Sequence, residues 1–167
     1  MDVCGADFIS AIIYAEKFIM FRGSSFHTID PKGRVIVPAR FRDVIRAEGQ
    51  RSVMVSRMDS SLFAYTQDEW NNIEKRILSL AQKSESMRRF RRVFIGGAAA
   101  CSLDRQHRIL IPPALRHYAE LEKEIVLVGV LDHFEIWSRE NWDAENAQLE
   151  EDMKSGEIRD EIAGLGL

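Results

Sequence analysis

Two Asp-x-x-x-Arg motifs have the spacing best suited to chemistry in this chain: Asp30 with Arg34, and Asp104 with Arg108. Lys32 and Arg22 add positive charge around the first, and Arg105 stands inside the second. Arginine offers a planar fork of donors that can bridge O6 and N7 of guanine, while lysine is better suited to phosphate. An aspartate facing phosphate would be repelled. Asp30 and Asp104 therefore read as groups that orient a turn and its guanidinium, with Gly33 giving the turn its shape. The same spacing also reads as an ordinary stabilising ion pair across a turn, which is the commoner use of such residues. For Arg108 the two readings stand level, because His107 replaces the glycine and the later part of the chain is acidic.

The surrounding residues say what must hold these groups. Asp30-Pro31-Lys32-Gly33 has the residue preferences of a type I turn, and a left-handed Gly33 would close a three-residue hairpin with a bulge. Val35-Ile36-Val37 is a β-branched run stopped by Pro38, and a short helix is expected from Ala39 to Ala47. Val53–Val55 and Leu62–Tyr65, with Asp59-Ser60-Ser61 between them, predict a hairpin. Arg108–Ile111, Ile125–Val128 and Phe134–Trp137 predict the matching strands later in the chain. His107 would have to adopt the left-handed conformation, which histidine tolerates at some cost.

These matches amount to an internal repeat. Asp30, Arg34, Pro38 and Arg42 recur at Asp104, Arg108, Pro112 and Arg116 with a constant offset of 74 residues. Val53 to Asp59 likewise matches Val126 to Asp132. Between the copies, Trp70, Ile73, Ile77, Leu80 and Ala81 predict an amphipathic helix over Glu69 to Gln82. Ser84 can cap a second helix with Met87, Phe90 and Phe94 inward and Arg88, Arg89, Arg91 and Arg92 outward, ended by Gly96-Gly97. That arginine cluster reads as a solvated face or as a subunit contact with the acidic tail. From Ser138 onward an acidic surface helix is expected, with the last dozen residues frayed. His27, His117 and His133 read as surface or boundary residues. Cys101 reads as core, and Trp70, Trp137 and Trp142 as packing anchors.

Charge is unevenly spread. The net charge is −3, yet residues 20–116 carry 18 Lys and Arg against 9 Asp and Glu, while residues 117–167 carry 4 against 14. A basic working face and an acidic tail follow as the expectation. The apolar share of 46% and charged share of 29% suit a globular chain. Cys4 and Cys101 form neither a disulfide framework nor, with four scattered histidines, a convincing metal set, so a reducing cytoplasmic setting and no cofactor are expected. Phe8 to Ala15 is apolar but short and flanked by Asp2 and Asp7, a weak signal peptide with no membrane span. Residues 1–19 read as a flexible or weakly helical extension, and Met20 as an alternative start. No nucleophile–base pair, P-loop or dinucleotide fingerprint is present, so an enzyme is not expected.

Met20-Phe21-Arg22-Gly23, the two Asp-x-x-x-Arg motifs, and Ile125 to Gly129 followed by Phe134-Glu135-Ile136-Trp137 resemble the MraZ family of bacterial transcriptional regulators over about residues 20 to 160. The resemblance implies an α+β fold of two pseudo-symmetric AbrB-like swapped-hairpin β-barrel modules with flanking helices. The first module and linker helices would take residues 20–92, and the second module with its acidic helix 93–167. It also implies binding of double-stranded promoter DNA at direct repeats by Arg34, Lys32, Arg22, Arg108 and Arg105, oriented by Asp30, Gly33 and Asp104. A homo-oligomeric ring (an octamer by resemblance), repression of the chain's own division and cell-wall operon, and nucleoid association complete the expectation. The competing class is an antitoxin-like or scaffolding interaction module of the same barrel family.

Overall fold

The structure, a computed structural model, describes residues 20–80 and 84–167. The expected extension, residues 1–19, and the end of the first linker helix at Ala81 and Gln82 lie outside the described residues.

Each copy of the repeat has the same order: strand, turn, short strand, short helix, and a two-stranded hairpin. In the first copy these are β1 (Phe21–Thr28), β2 (Arg34–Ile36), α1 (Ala39–Ala47), β3 (Ser52–Met58) and β4 (Ser61–Thr66). In the second they are β5 (Ala99–Ser102), β6 (Arg108–Leu110), α4 (Pro113–Tyr118), β7 (Glu124–Leu131) and β8 (Phe134–Ser138). Two linker helices, α2 (Gln67–Ser79) and α3 (Glu85–Phe94), lie between them, and α5 (Arg139–Asp152) and α6 (Gly156–Gly164) follow.

The copies do not fold side by side. β1 pairs with β7, and β5 pairs with β3, so the first strand of each copy lies against the third strand of the other. The second strands β2 and β6 pair with one another, and β4 pairs with β8. The six-stranded antiparallel order β1-β7-β8-β4-β3-β5 is therefore unchanged when the two copies are exchanged.

One core binds both copies together. Phe21 and Phe41 from the first copy meet Phe134 from the second, with ring centroids 5.0–5.5 Å apart. Val35 and Val37 are fully buried with their counterparts Ile109 and Ile111. Such a cluster cannot form from either copy alone. Cys101 is buried as expected, and burial pushes its thiol up to about 11, away from the reactive range.

Helix boundaries follow their caps. Thr66 accepts from Glu69 N, so α2 starts at Gln67, earlier than the apolar spacing suggested. Ser84 caps α3 as expected, and Ser56 Oγ donates to Phe94 O, fastening that helix to β3. The last dozen residues, expected to fray, instead include α6, where Ile158 and Ile162 are half-buried one turn apart.

An outer aromatic layer contains the clearest departure from expectation. His133 is not a surface residue: it is 8% exposed, stacks on Phe63 at 4.5 Å, and lies against Tyr65. Its ring nitrogens meet Asp132 at 2.7 Å and Glu135 at 3.0 Å. Burial opposes the imidazolium charge, but the hydrogen bonds with Glu135 and Asp132 outweigh it and raise the pKa above its ordinary value. A raised folded pKa gives stabilisation that is full below about 6.5 and is lost as pH rises through the folded value. Thermal stability is therefore expected to fall as pH rises above about 6.5, and His133→Gln is expected to flatten that slope. Melting curves for the two chains across this range with equal slopes would refute the assignment.

Candidate nucleic-acid interface

The two tips are built alike. In the first, Asp30 Oδ1 accepts from the backbone N–H of Lys32 at 3.0 Å and of Arg34 at 2.9 Å, and Arg34 Nε donates to Asp30 Oδ2. In the second, Asp104 Oδ1 accepts from the N–H of Gln106 at 2.8 Å and of Arg108 at 2.9 Å, and Arg108 Nε donates to Oδ2 at 2.9 Å. The Arg34 N–H, its guanidinium and the Lys32 N–H hold the Asp30 carboxyl below the usual range; Arg108 and Gln106 do the same for Asp104. Each aspartate thus orients both its turn and its arginine. The Nε contact uses one of the guanidinium's five N–H donors.

The left-handed corner is occupied as the turn chemistry requires. Gly33 has φ +89° and His107 φ +64°. His107 N donates to Asp104 O at 3.0 Å, just as Gly33 N donates to Asp30 O at 2.9 Å, so the histidine leaves the turn's hydrogen bonding intact. Gly33 is constrained further, since a Cβ there would lie 2.6 Å from Arg116 Nε. Arg116 reaches across from α4 in the other copy, and at the second tip Val37 N of the first copy donates to His107 O at 2.9 Å, so each tip rests on the other copy.

Pairing of β2 with β6 decides where the arginines go. Arg34 lies opposite Leu110 and Arg108 opposite Ile36, which makes the two arginines diagonal neighbours on one face, roughly 7–8 Å apart at Cα. Val35 and Ile109 point from the other face into the core. The outward face of this two-stranded ribbon therefore carries Arg34 and Arg108, each partly exposed, with Ile36 at 52% and Leu110 at 57% exposure. Lys32 and Arg105, both exposed, extend it at opposite ends.

Arg22 is not brought there. It sits at the start of β1, and six residues of strand, ~20 Å, run from it to Thr28, the end of β1 that leads into the first tip. Its carbonyl instead accepts from Arg40 Nε at 3.0 Å, and Arg40 also reaches Ser25 Oγ. Arg40, Ile36 and Leu110 were missed at the sequence level. Strand alternation could have flagged the two aliphatics, because Val35 and Val37 flank Ile36, but an unbroken apolar run conceals which side faces water. Arg42 and Arg116, matched in the repeat, each bury an Nε without a hydrogen-bond partner in the described residues, as does Arg57.

Fold and site together define a duplicated, strand-exchanged α+β protein with a basic ribbon and, among the described residues, no cluster able to hold a metal. The chain belongs to the MraZ family, a family of transcriptional regulators and not of enzymes. The family model described as "MraZ protein, putative antitoxin-like" matches residues 20–93 and again 94–160. A transcriptional regulator MraZ of Desulforapulum autotrophicum is 66% identical over 148 residues, covering 89% of this chain and all of the relative. Similar proteins of the same name from Desulfosudis oleivorans and Desulforamulus reducens are 51% and 48% identical, over 89% and 78% of this chain and 100% and 90% of their own lengths. No helix among the described residues is long and apolar enough to cross a membrane.

Proposed function

We propose that the β2–β6 ribbon is a DNA-reading surface and that the chain represses its own operon by binding direct repeats in the promoter. The observation carrying this reading is the face shared by Arg34 and Arg108, residues 74 positions apart, each with an aspartate holding its inner edge. The major groove admits a two-stranded β-ribbon, where arginine can bridge guanine O6 and N7 and an aliphatic side chain can meet a thymine methyl. Lys32 and Arg105 would supply phosphate contacts at the ends of the ribbon. Arg22, at the end of β1 away from the first tip, would serve where DNA passes the start of that strand.

The repeats 20–92 and 93–167 act in this reading as two swapped-hairpin modules closing one barrel, which the exchange of β1 and β5 supports. One ribbon binds weakly. A ring of subunits, an octamer by family resemblance, presents several ribbons to repeated sites and gains about 10²–10⁴-fold by effective concentration. Nucleoid association follows from such binding. The family's antitoxin-like description supports a second reading, in which the barrel serves a protein partner; co-purification of a toxin-like protein would favour it.

Gel shifts of the chain with its own upstream DNA, at two salt concentrations, test the proposal. A shift specific to the repeats should survive competitor DNA and weaken as salt rises, in proportion to the phosphates contacted. Absence of any shift at low salt would overturn it.

A further inference from the structure

The ring invoked above needs a contact between copies, and the following inference rests on that reading. The α3 face and the α6 face have complementary charge with the same spacing. Arg88, Arg91 and Arg92 stand at i, i+3 and i+4 on α3, while Glu157, Asp160 and Glu161 stand at i, i+3 and i+4 on α6. Arg89 is already matched by Glu85 on its own helix. Among the described residues, none of those six side chains has an ion-pair partner. The two helices are also similar in length, ten and nine residues, so the three charges of one can lie along the three of the other.

Apolar surface accompanies the charge. Beside α3 lies a groove of about 250 Å³ whose walls include Tyr65, Ile77, Leu80, Phe90 and Phe94. Directly after α6, Leu165 is 75% exposed and Leu167 is 88% exposed, the two most exposed of the chain's large apolar residues that the structure describes. Within one chain the two faces rest on different strands, α3 on β3 and α5, which leads into α6, on β7 and β8. Nucleic acid would satisfy the arginines but would leave the groove and the two leucines uncovered.

We propose that α3 and its groove dock the α6 segment of a second copy, with Arg88, Arg91 and Arg92 facing Glu157, Asp160 and Glu161 and Leu165 or Leu167 seated in the groove. The contact is head-to-tail: each copy gives one face and receives the other, the geometry that closes into rings. Exposed ion pairs are individually weak, so the aromatic groove contributes adhesion and the charges set register and partner.

The test uses two full-length variants. One carries Arg88→Glu, Arg91→Glu and Arg92→Glu; the other carries Glu157→Arg, Asp160→Arg and Glu161→Arg. All six positions are on the surface or half-exposed, and circular dichroism verifies that each variant folds. Light scattering after size-exclusion chromatography should show the parent as a multimer and each variant as a smaller species, with association weakened at least about tenfold. An equimolar mixture should recover the parent mass, because acidic α3 of one variant then meets basic α6 of the other. Either variant retaining the parent mass, or a mixture that stays dissociated, overturns the docking surface while leaving the ring reading in place. A variant that keeps its mass but loses DNA binding overturns it in favour of α3 as a phosphate contact. A parent that runs as a monomer overturns both this surface and the ring.

Discussion

Arg34→Ala is expected to abolish the shift of repeat-containing DNA while leaving the size of the assembly unchanged. A bidentate arginine–guanine contact contributes about 1–3 kcal/mol of discrimination, or roughly 5–150-fold at each tip. Where several tips bind one promoter, these factors multiply and the specific complex disappears. The turn should survive the substitution, because two of the three hydrogen bonds to Asp30 come from backbone N–H groups that alanine retains. Val35 stays in the core and the ladder to β6 is untouched. Retained specific binding would refute the assignment of Arg34 as the reader. Weakening that is equal on all sequences would assign it to phosphate, the outcome expected instead for Lys32→Ala, which should lower the salt slope by about one.

Phe134→Ala is expected to cost about 3–5 kcal/mol, a large fraction of the ~5–15 kcal/mol that holds a domain of ordinary stability. Its ring is fully buried against Phe21 at 5.2 Å and Phe41 at 5.0 Å, both from the other copy. A melting point lower by roughly 10 °C follows for a chain of this size. The exchange of β1 and β5 makes the two copies one cooperative unit, so the variant and the parent should each unfold in a single step. Far-UV circular dichroism and tryptophan fluorescence followed together check this. Separate transitions for the two copies, or a melting point within about 2 °C of the parent's, would show that the shared core is not what holds the halves together.

Much of the local structure was legible because its causes are local. Asp30-Pro31-Lys32-Gly33 specified the turn, and the offset of 74 exposed its twin with His107 in the same left-handed corner. The run Val35 to Val37 gave a strand and Pro38 ended it; Ser84 gave the start of α3. The basic and acidic regions of the chain were plain from counting; α3 carries four of the arginines, and α5 and α6 together carry nine of the acidic residues.

Partnership was not legible. A strand's own residues satisfy only their local preferences, and nothing in β1 says that it will pair with β7, whose residues stand 96 to 110 positions later, instead of with its neighbour. His133 looked like a boundary residue because the Phe63 and Tyr65 rings that cover it come from β4 in the other copy, although Asp132 and Glu135 are its neighbours in sequence. Arg22 looked close to Arg34 because extended strand length is not visible in a motif. The sequence by itself determined the turns, the duplication and the aspartate-held arginines, since each depends on residues within a few positions of one another. Only the tertiary structure decided that Arg34 and Arg108 share one face, because that requires two distant strands to exchange backbone hydrogen bonds across a core that neither copy can close alone.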